Sequence, residues 1–297
     1  MQYKNRGFPT KKLYGLVLMM IGLFFFFGLH PPTVVHAGAI EIQGALDQNK
    51  LRIRTDSYDG TITQSFPTKP LVGLDIDQLA SRHNPPFKMG AGIAKMYKYQ
   101  GISIQPGYVI RADYPGAVYY NGRLTDAHVQ WYNFHTNGKP ADFIVSSCLY
   151  NGWVYRNITQ FNVDIWFEDN VTKQRINLES GSFLTVNSLN GVDTSNVSQT
   201  LGSNGHMGSN RLGEFVGGLS GQQEYVIHGH NLGPTNVDGH YVLQGNPDSR
   251  FDDVLGGSTF WKNSVMFSAN GSTQSFLMGA GYASARMTFS SALITPA

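Results

Sequence analysis

Apolar residues recur along this chain at a spacing of two, not of three or four. In Phe161-Asn-Val-Asp-Ile-Trp-Phe167, the side chains of Phe161, Val163, Ile165 and Phe167 share one side of an extended strand, and Asn162, Asp164 and Trp166 share the other. One side is expected to be core and the other wet. Short runs of Tyr, Phe, Val, Ile and Thr closed by Gly, Asn, Asp and Pro predict further strands. Together they cover 51–55, 107–112, 127–134, 141–147, 158–168, 182–186, 224–228, 258–268, 273–278 and 284–289. No long amphipathic helix shows itself; Ile76 to Arg82 and Gly92 to Lys95 are the stretches with a short-helix pattern.

The breaks between runs have their own chemistry. Asn137-Gly138, followed by Lys139-Pro140, stands between two runs, and Asn121-Gly122, Asn151-Gly152 and Asn270-Gly271 repeat the pair. Asn-Gly supplies the positive φ that a tight hairpin requires. Strands at hairpin spacing predict an all-β fold, an antiparallel β-sandwich of jelly-roll or lectin-like type with long Gly/Asn-rich loops. The longest such loop is expected from Gly191 to Gly221, which includes Gly202-Ser-Asn-Gly-His-Met-Gly-Ser-Asn210. Residues 38–100 read as a polar, irregular segment that supplies edge strands, and 101–297 as the sandwich itself.

The amino terminus breaks the strand pattern. Lys4, Arg6, Lys11 and Lys12 precede an uncharged run from Leu13 to Leu29, Pro31-Pro32 ends it, and Val35 and Ala37 are the small residues of a cleavage site before Gly38. Residues 1–37 are therefore expected to be a secretory signal peptide, and a retained anchor is the alternative. Residues 1–37 hold four of the 22 Lys and Arg and none of the 20 Asp and Glu, so 18 basic side chains face 20 acidic ones afterwards, a net charge of about −2. No phosphate-neutralising cluster of Lys and Arg appears, and a nucleic-acid partner is not expected. Cys148 is the sole cysteine, so no intramolecular disulfide forms. That usage fits an exported protein of a Gram-positive bacterium, stabilised by core burial alone. The end, Ser290 to Ala297, shows no sorting pentapeptide or hydrophobic tail, and covalent attachment to a cell wall is not expected.

Three stretches carry a resemblance. They are Tyr119-Tyr-Asn-Gly-Arg-Leu-Thr-Asp-Ala-His-Val-Gln-Trp131 with Gly138-Lys-Pro-Ala-Asp-Phe143 after it; Phe161-Asn-Val-Asp-Ile-Trp-Phe-Glu-Asp-Asn-Val-Thr-Lys173 running into Ser182-Phe-Leu-Thr-Val186; and Val265-Met-Phe267 followed by Ser275-Phe-Leu-Met278 and Met287-Thr-Phe289. Over residues 107–297 the chain resembles the large β-sandwich domains of Gram-positive surface adhesins, those in the non-repeat regions of wall-anchored fibrillar adhesins. The resemblance implies a ligand-binding, non-enzymatic domain. Where such domains often carry an acidic pair this chain has Val186-Asn-Ser-Leu-Asn-Gly191, so a calcium site is not carried across.

Candidate chemistry divides the remaining readings. Trp131, Trp153, Trp166 and Tyr155 are the aromatic residues expected to offer a stacking face to a glycan or matrix protein, with amides nearby to read hydroxyls. His228-Gly-His230 has two imidazoles at strand spacing, and Asp248, Asp252 and Asp253 could supply further metal ligands. No cofactor is expected; Ca²⁺ is the candidate ion, at Asp75-Ile-Asp77 or over Asp248 to Asp253. Cys148 reads as a structural thiol. The expected function is a secreted, adhesin-like binding protein of the extracellular space or cell surface, in contact with a membrane only transiently through the signal segment. A secreted wall hydrolase, which needs convergent carboxylates or a metal, and a structural subunit of an envelope assembly are the alternatives.

Overall fold

The computed structural model describes residues 38–42, 49–73, 94–191, 213–246, 260–281 and 284–291. The signal segment, the short helix expected over 76–82 and the candidate ligands Asp75, Asp77, Asp248, Asp252 and Asp253 lie outside the described residues. The strands are β1 (Ile40–Ile42), β2 (Leu51–Ile53), β3 (Thr61–Gln64), β4 (Leu71–Gly73), β5 (Met96–Ile102), β6 (Ile110–Tyr120), β7 (Arg123–Thr136), β8 (Ala141–Ser146), β9 (Trp153–Arg156), β10 (Ile158–Asp169), β11 (Phe183–Asn187), β12 (Glu214–Gly218), β13 (Glu224–Ile227), β14 (Leu232–Val237), β15 (His240–Gly245), β16 (Val265–Ser268), β17 (Gln274–Ala280) and β18 (Ser284–Ser290).

They form two sheets packed face to face, as the period of two predicts. The first runs β1-β13-β16-β11-β18-β9-β8-β5-β4 and the second β14-β15-β12-β17-β10-β7-β6-β2, with β3 pairing on β6 as well. The β1–β13 pair is parallel; the other pairs are antiparallel. Strands from the 38–100 segment occupy the margins of both sheets, with β1 and β4 at the two ends of the first and β2 and β3 at the edge of the second. All described residues belong to one unit, Ala37–Ala297.

Phe161, Val163, Ile165 and Phe167 are buried, as their alternation demands. Their partners from the opposite sheet are aromatic too. Phe143 stands edge-on to Phe161 at 5.9 Å and Tyr155 at 4.9 Å, Trp153 meets Trp131 across the sandwich at 5.4 Å, and within its own sheet Trp153 meets Phe289 at 5.1 Å. Edge-to-face pairs of this kind add about 0.5–1.5 kcal/mol each to the burial of the rings.

Three local expectations are corrected. Asn121-Gly122 makes the tight hairpin between β6 and β7, with φ of 48° and 77°, but Asn137-Gly138 does not, because β7 and β8 belong to different sheets. The Asn137 turn arches across the sandwich, tied by Asn137 Nδ2 to Asn157 Oδ1 at 3.2 Å and Asn157 Nδ2 to the Pro140 carbonyl at 2.8 Å. The expected loop 191–221 contains β12, a buried central strand between β15 and β17. Its Gly217 is required by crowding: a Cβ there would stand 2.4 Å from the Tyr241 carbonyl oxygen. Finally, the strand expected over 258–268 begins only at Val265, after a 3₁₀ turn at Phe260–Asn263.

Candidate functional site

The four aromatic residues singled out in the sequence part company. Trp131, Trp153 and Tyr155 are at most 1% exposed and lie between the sheets, in the aromatic contacts just described. They fill the core, so a stacking platform made of these three is not what this fold builds. Trp131 is paired with Val163 and Ile110, both inward, which settles its direction. Trp166 points the other way, onto the outer face of the second sheet.

On that face strand register assembles a polar array around one indole. Trp166 of β10 pairs with His128 of β7, which pairs in turn with Asp113 of β6. The His128 ring stacks on Trp166 at 5.3 Å and 12°, and its Nδ1 is 2.5 Å from Asp113 Oδ1. Its Nε2 is 3.3 Å from Glu168 Oε2, without hydrogen-bond alignment. Two guanidinium groups cover the indole: Arg111 Cζ is 5.0 Å from its ring centre and Arg175 Cζ 4.9 Å. Arg111 is held by Asp113 at 2.9 Å, and Arg175 donates to Thr273 Oγ1 at 2.7 Å. Trp166 is left 8% exposed, under cations whose outer faces meet water.

The next row along the same face is built of hydrogen-bonding side chains. Arg111 pairs with Gln130, Gln130 with Asp164 and Asp164 with Ser275. Tyr132 donates from its hydroxyl to Asp164 Oδ1 at 3.2 Å, and the Asn162 side-chain oxygen is buried without a partner. Further along β10, Gln160 donates to Asp238 Oδ2 at 3.0 Å, so the Asp238-Gly239 turn between β14 and β15 closes this end of the face. The arrangement offers planar cationic and aromatic surfaces beside carboxylate and amide groups, which suits a polar ligand with flat faces. Of the four aromatic residues expected to bind ligand, Trp166 is the one on this outer face. The sequence reading missed Arg111, which lies two strands away from it, and Arg175, which returns to the indole after the turn at Asp169; cross-strand register was the signal required.

The imidazole pair sits in the turn after β13, not on a strand, because Gly229 takes φ of 68°. His228 is exposed and its Nδ1 is 2.8 Å from Glu41 Oε1, while His230 Nδ1 accepts the Leu232 N–H at 3.2 Å. Among the described residues no group of three or more His, Cys, Asp and Glu side chains is placed to hold a metal ion. Cys148 is buried and burial pushes its thiol pKa up, which keeps it protonated. Among the described residues no helix is long and apolar enough to cross a membrane.

No family model and no curated protein matches the chain at a significant level. Solved structures do. Glucan-binding protein C of Streptococcus mutans superposes with a TM-score of 0.56 at 14% identity, over 85% of this chain and 80% of that one. The adhesin domain of PrgB from Enterococcus faecalis, in a structure with DNA bound, gives a TM-score of 0.56 at 14% identity over 85% of this chain and 97% of the domain. The same domain in a separate structure gives 0.56 at 13% identity over 92% and 97%. At such identities the likeness is one of fold, and it places the chain's architecture with that of Gram-positive surface adhesin domains. It also reaches well beyond residues 107–297, where the sequence resemblance lay. The expectation that nucleic acid is excluded finds no support in it.

Proposed function

We propose that this protein is an adhesin-like binding module that works outside the cell, taking an extracellular glycan or protein on the outer face of the second sheet around Trp166. The observation that carries the reading is the Arg111–Trp166–Arg175 stack, an aromatic group held on the outer face of the second sheet, whereas the indoles of Trp131 on β7 and of Trp153 on β9 of the facing sheet are spent on the core. The fold shared with adhesin domains supports it. A polyanionic ligand is the second reading. Arg52, Arg54, Arg111 and Arg123 all lie on or beside β2, β6 and β7, and one domain of like fold has been seen with DNA.

The test is a binding screen of the purified protein against a glycan array, extracellular matrix proteins and duplex DNA. The reading expects saturable binding to a glycan or protein, weakened about tenfold or more by Trp166→Ala. Binding to DNA alone, falling steeply with salt, would move the assignment to the polyanion. Breakdown of wall material without saturable binding would replace both with a hydrolase.

A further inference from the structure

A concave site lies away from Trp166, at the end of the second sheet where the β6–β7 hairpin meets the turn after β10. It is a pocket of about 390 Å³ lined by Tyr120, Asn121, Arg123, Thr125, Asp169 and Ile176. That size is near the lower end of the roughly 300–1,000 Å³ range of small-molecule sites. Its walls are braced. The Asn121 N–H donates to the Lys50 carbonyl at 2.9 Å, which fixes the hairpin turn, and Tyr120 Oη accepts the Glu179 N–H at 3.1 Å, which fixes the ring. Asp169 Oδ1 accepts the N–H groups of Val171 and Thr172 at 3.0 and 2.8 Å and the Thr172 hydroxyl at 3.1 Å. These contacts and the nearby Arg123 charge hold its carboxyl below the usual range, so it stays ionised.

The polar groups facing this space still have unused capacity. Among the described residues the Arg123 guanidinium forms no hydrogen bond or ion pair, the Asn121 side-chain amide has no partner, and Asp169 Oδ2 accepts nothing. Tyr120 Oη accepts a hydrogen bond and keeps its own proton to donate. The Trp166 array differs, since Arg111, Asp113 and His128 there satisfy one another. Asn121 and Arg123 are exposed and Asp169 is part-exposed, so water serves these groups in the free protein, and a ligand that presents hydroxyl groups in the concavity can take its place.

We propose that this pocket binds one ring of a neutral sugar. Asp169 Oδ2 and the Asn121 amide oxygen accept from hydroxyl groups, while Arg123 and the Tyr120 hydroxyl donate to hydroxyl or ring oxygens. Ile176, part-buried against the core, backs the apolar face of the ring. The charges decide the class. Arg123 and Asp169 carry opposite unit charges, so a sugar acid meets the carboxylate and an amino sugar meets the guanidinium, whereas a hydroxyl group serves both by donating and accepting. The assignment needs only that the protein meets sugars outside the cell; it does not depend on a ligand at Trp166.

Saturation-transfer NMR on the purified protein tests it, with D-glucose, D-galactose, D-mannose and N-acetyl-D-glucosamine as neutral probes, D-glucuronate as the anion and D-glucosamine as the cation. At least one neutral probe is expected to bind saturably with a millimolar Kd, about tenfold or more tighter than either charged probe. Arg123→Gln and Asp169→Asn are each expected to weaken it by about tenfold or more, with Trp166→Ala leaving it unchanged. Asn at 169 retains the Oδ1 cap, and Arg123 is exposed, so an unchanged urea midpoint certifies the fold of both variants. No saturable neutral probe, preference for a charged one, or full binding by Arg123→Gln overturns the assignment. Loss of the monosaccharide on Trp166→Ala alone transfers the sugar to the outer face and overturns the pocket while sparing the reading of the protein as a binder.

Discussion

The guanidinium of Arg111 lies 5.0 Å from the centre of the Trp166 ring although the two residues sit on strands separated by β7. The reach is possible because Arg111 is diagonal to Trp166 across His128, and Asp113 holds the guanidinium from its other side at 2.9 Å. Arg175 completes the stack from the far side of β10. A bare indole on a polar sheet face would be an aggregation hazard, and the two cations resolve that conflict by covering the Trp166 ring down to 8% exposure while presenting charge to water.

Removing the cations should therefore change binding and solubility more than folding. Arg111→Ala and Arg175→Ala are each expected to lower stability by about 0.5–1 kcal/mol, the scale of an exposed cation–π contact. The double variant is expected to raise the Trp fluorescence quenching constant for acrylamide. Unchanged quenching would mean that the indole is shielded by something other than these two groups.

Trp131 and Trp166 give opposite outcomes to the same substitution. Trp131→Ala removes a fully buried indole from contact with Phe143 and Trp153 and is expected to cost about 3–5 kcal/mol, abolishing expression of folded protein or shifting the urea midpoint heavily. Trp166→Ala is expected to cost about 1–2 kcal/mol, because the removed ring touches side chains on one face of a sheet and not the interior. Equal losses in the two variants would contradict the placement of Trp166 outside the core.

Part of this distinction was readable beforehand. Ala127, Val129 and Trp131 alternate with His128, Gln130 and Tyr132, so the period that places Phe161 inward also argues for Trp131 inward, against the expectation that counted it among the stacking residues. Trp153-Val-Tyr-Arg156 is too short a run to carry that pattern, and both aromatic residues went to the core through pairing with β8 and β18. The layered all-β fold was legible because alternation is local. The destination of each strand was not: Asn137-Gly138 and Asn121-Gly122 look alike, yet one crosses between sheets and the other closes a hairpin, and only the packing of β7 against β8 decides. Asp238-Gly239 carries the same hairpin signal, with φ of 49° and 84°, and it bounds the candidate face. Arg175 was beyond reach, since its position depends on how the turn at Asp169 reverses.

That turn is tied to β7 through Asp126. The Asp126 carboxylate is buried and accepts from Gly116 N–H at 2.8 Å, Asn170 Nδ2 at 2.5 Å and Lys173 Nζ at 2.5 Å. Burial opposes ionisation, but the Lys173 ammonium, the Asn170 amide and the Gly116 N–H more than offset it and hold the pKa below the usual range. A lowered folded-state pKa contributes stability that is present above the unfolded value near 4 and is lost as pH falls through the folded value. Asp126→Ala is expected to cost about 1–3 kcal/mol at pH 7 and clearly less at pH 2.5, measured as urea midpoints. A penalty independent of pH would remove the charge from the explanation.

Glu224 works in the opposite sense. It begins β13, is 4% exposed, and its Oε2 is buried without a hydrogen-bond partner; burial, partly countered by the Gly218 N–H, raises its pKa to about 7. The native state then binds a proton that the unfolded chain, titrating near 4.3, has already released. Stability from this group is complete below about pH 4, declines as pH rises toward 7, and is flat above it, a loss on the order of 3 kcal/mol. Glu224→Gln keeps the shape and abolishes the titration. It is expected to be more stable than the parent protein at pH 8 and close to it at pH 4.5, so the two urea midpoints converge on acidification. Because the Asp126 contribution is gained as pH rises to about 4 and the Glu224 contribution is lost from about pH 4.3 upward, these two groups together place the parent protein's greatest stability near pH 4 to 4.5. A parent optimum above pH 7, or a Glu224→Gln variant that is weaker at pH 8, would show that the carboxyl finds a compensating partner once charged.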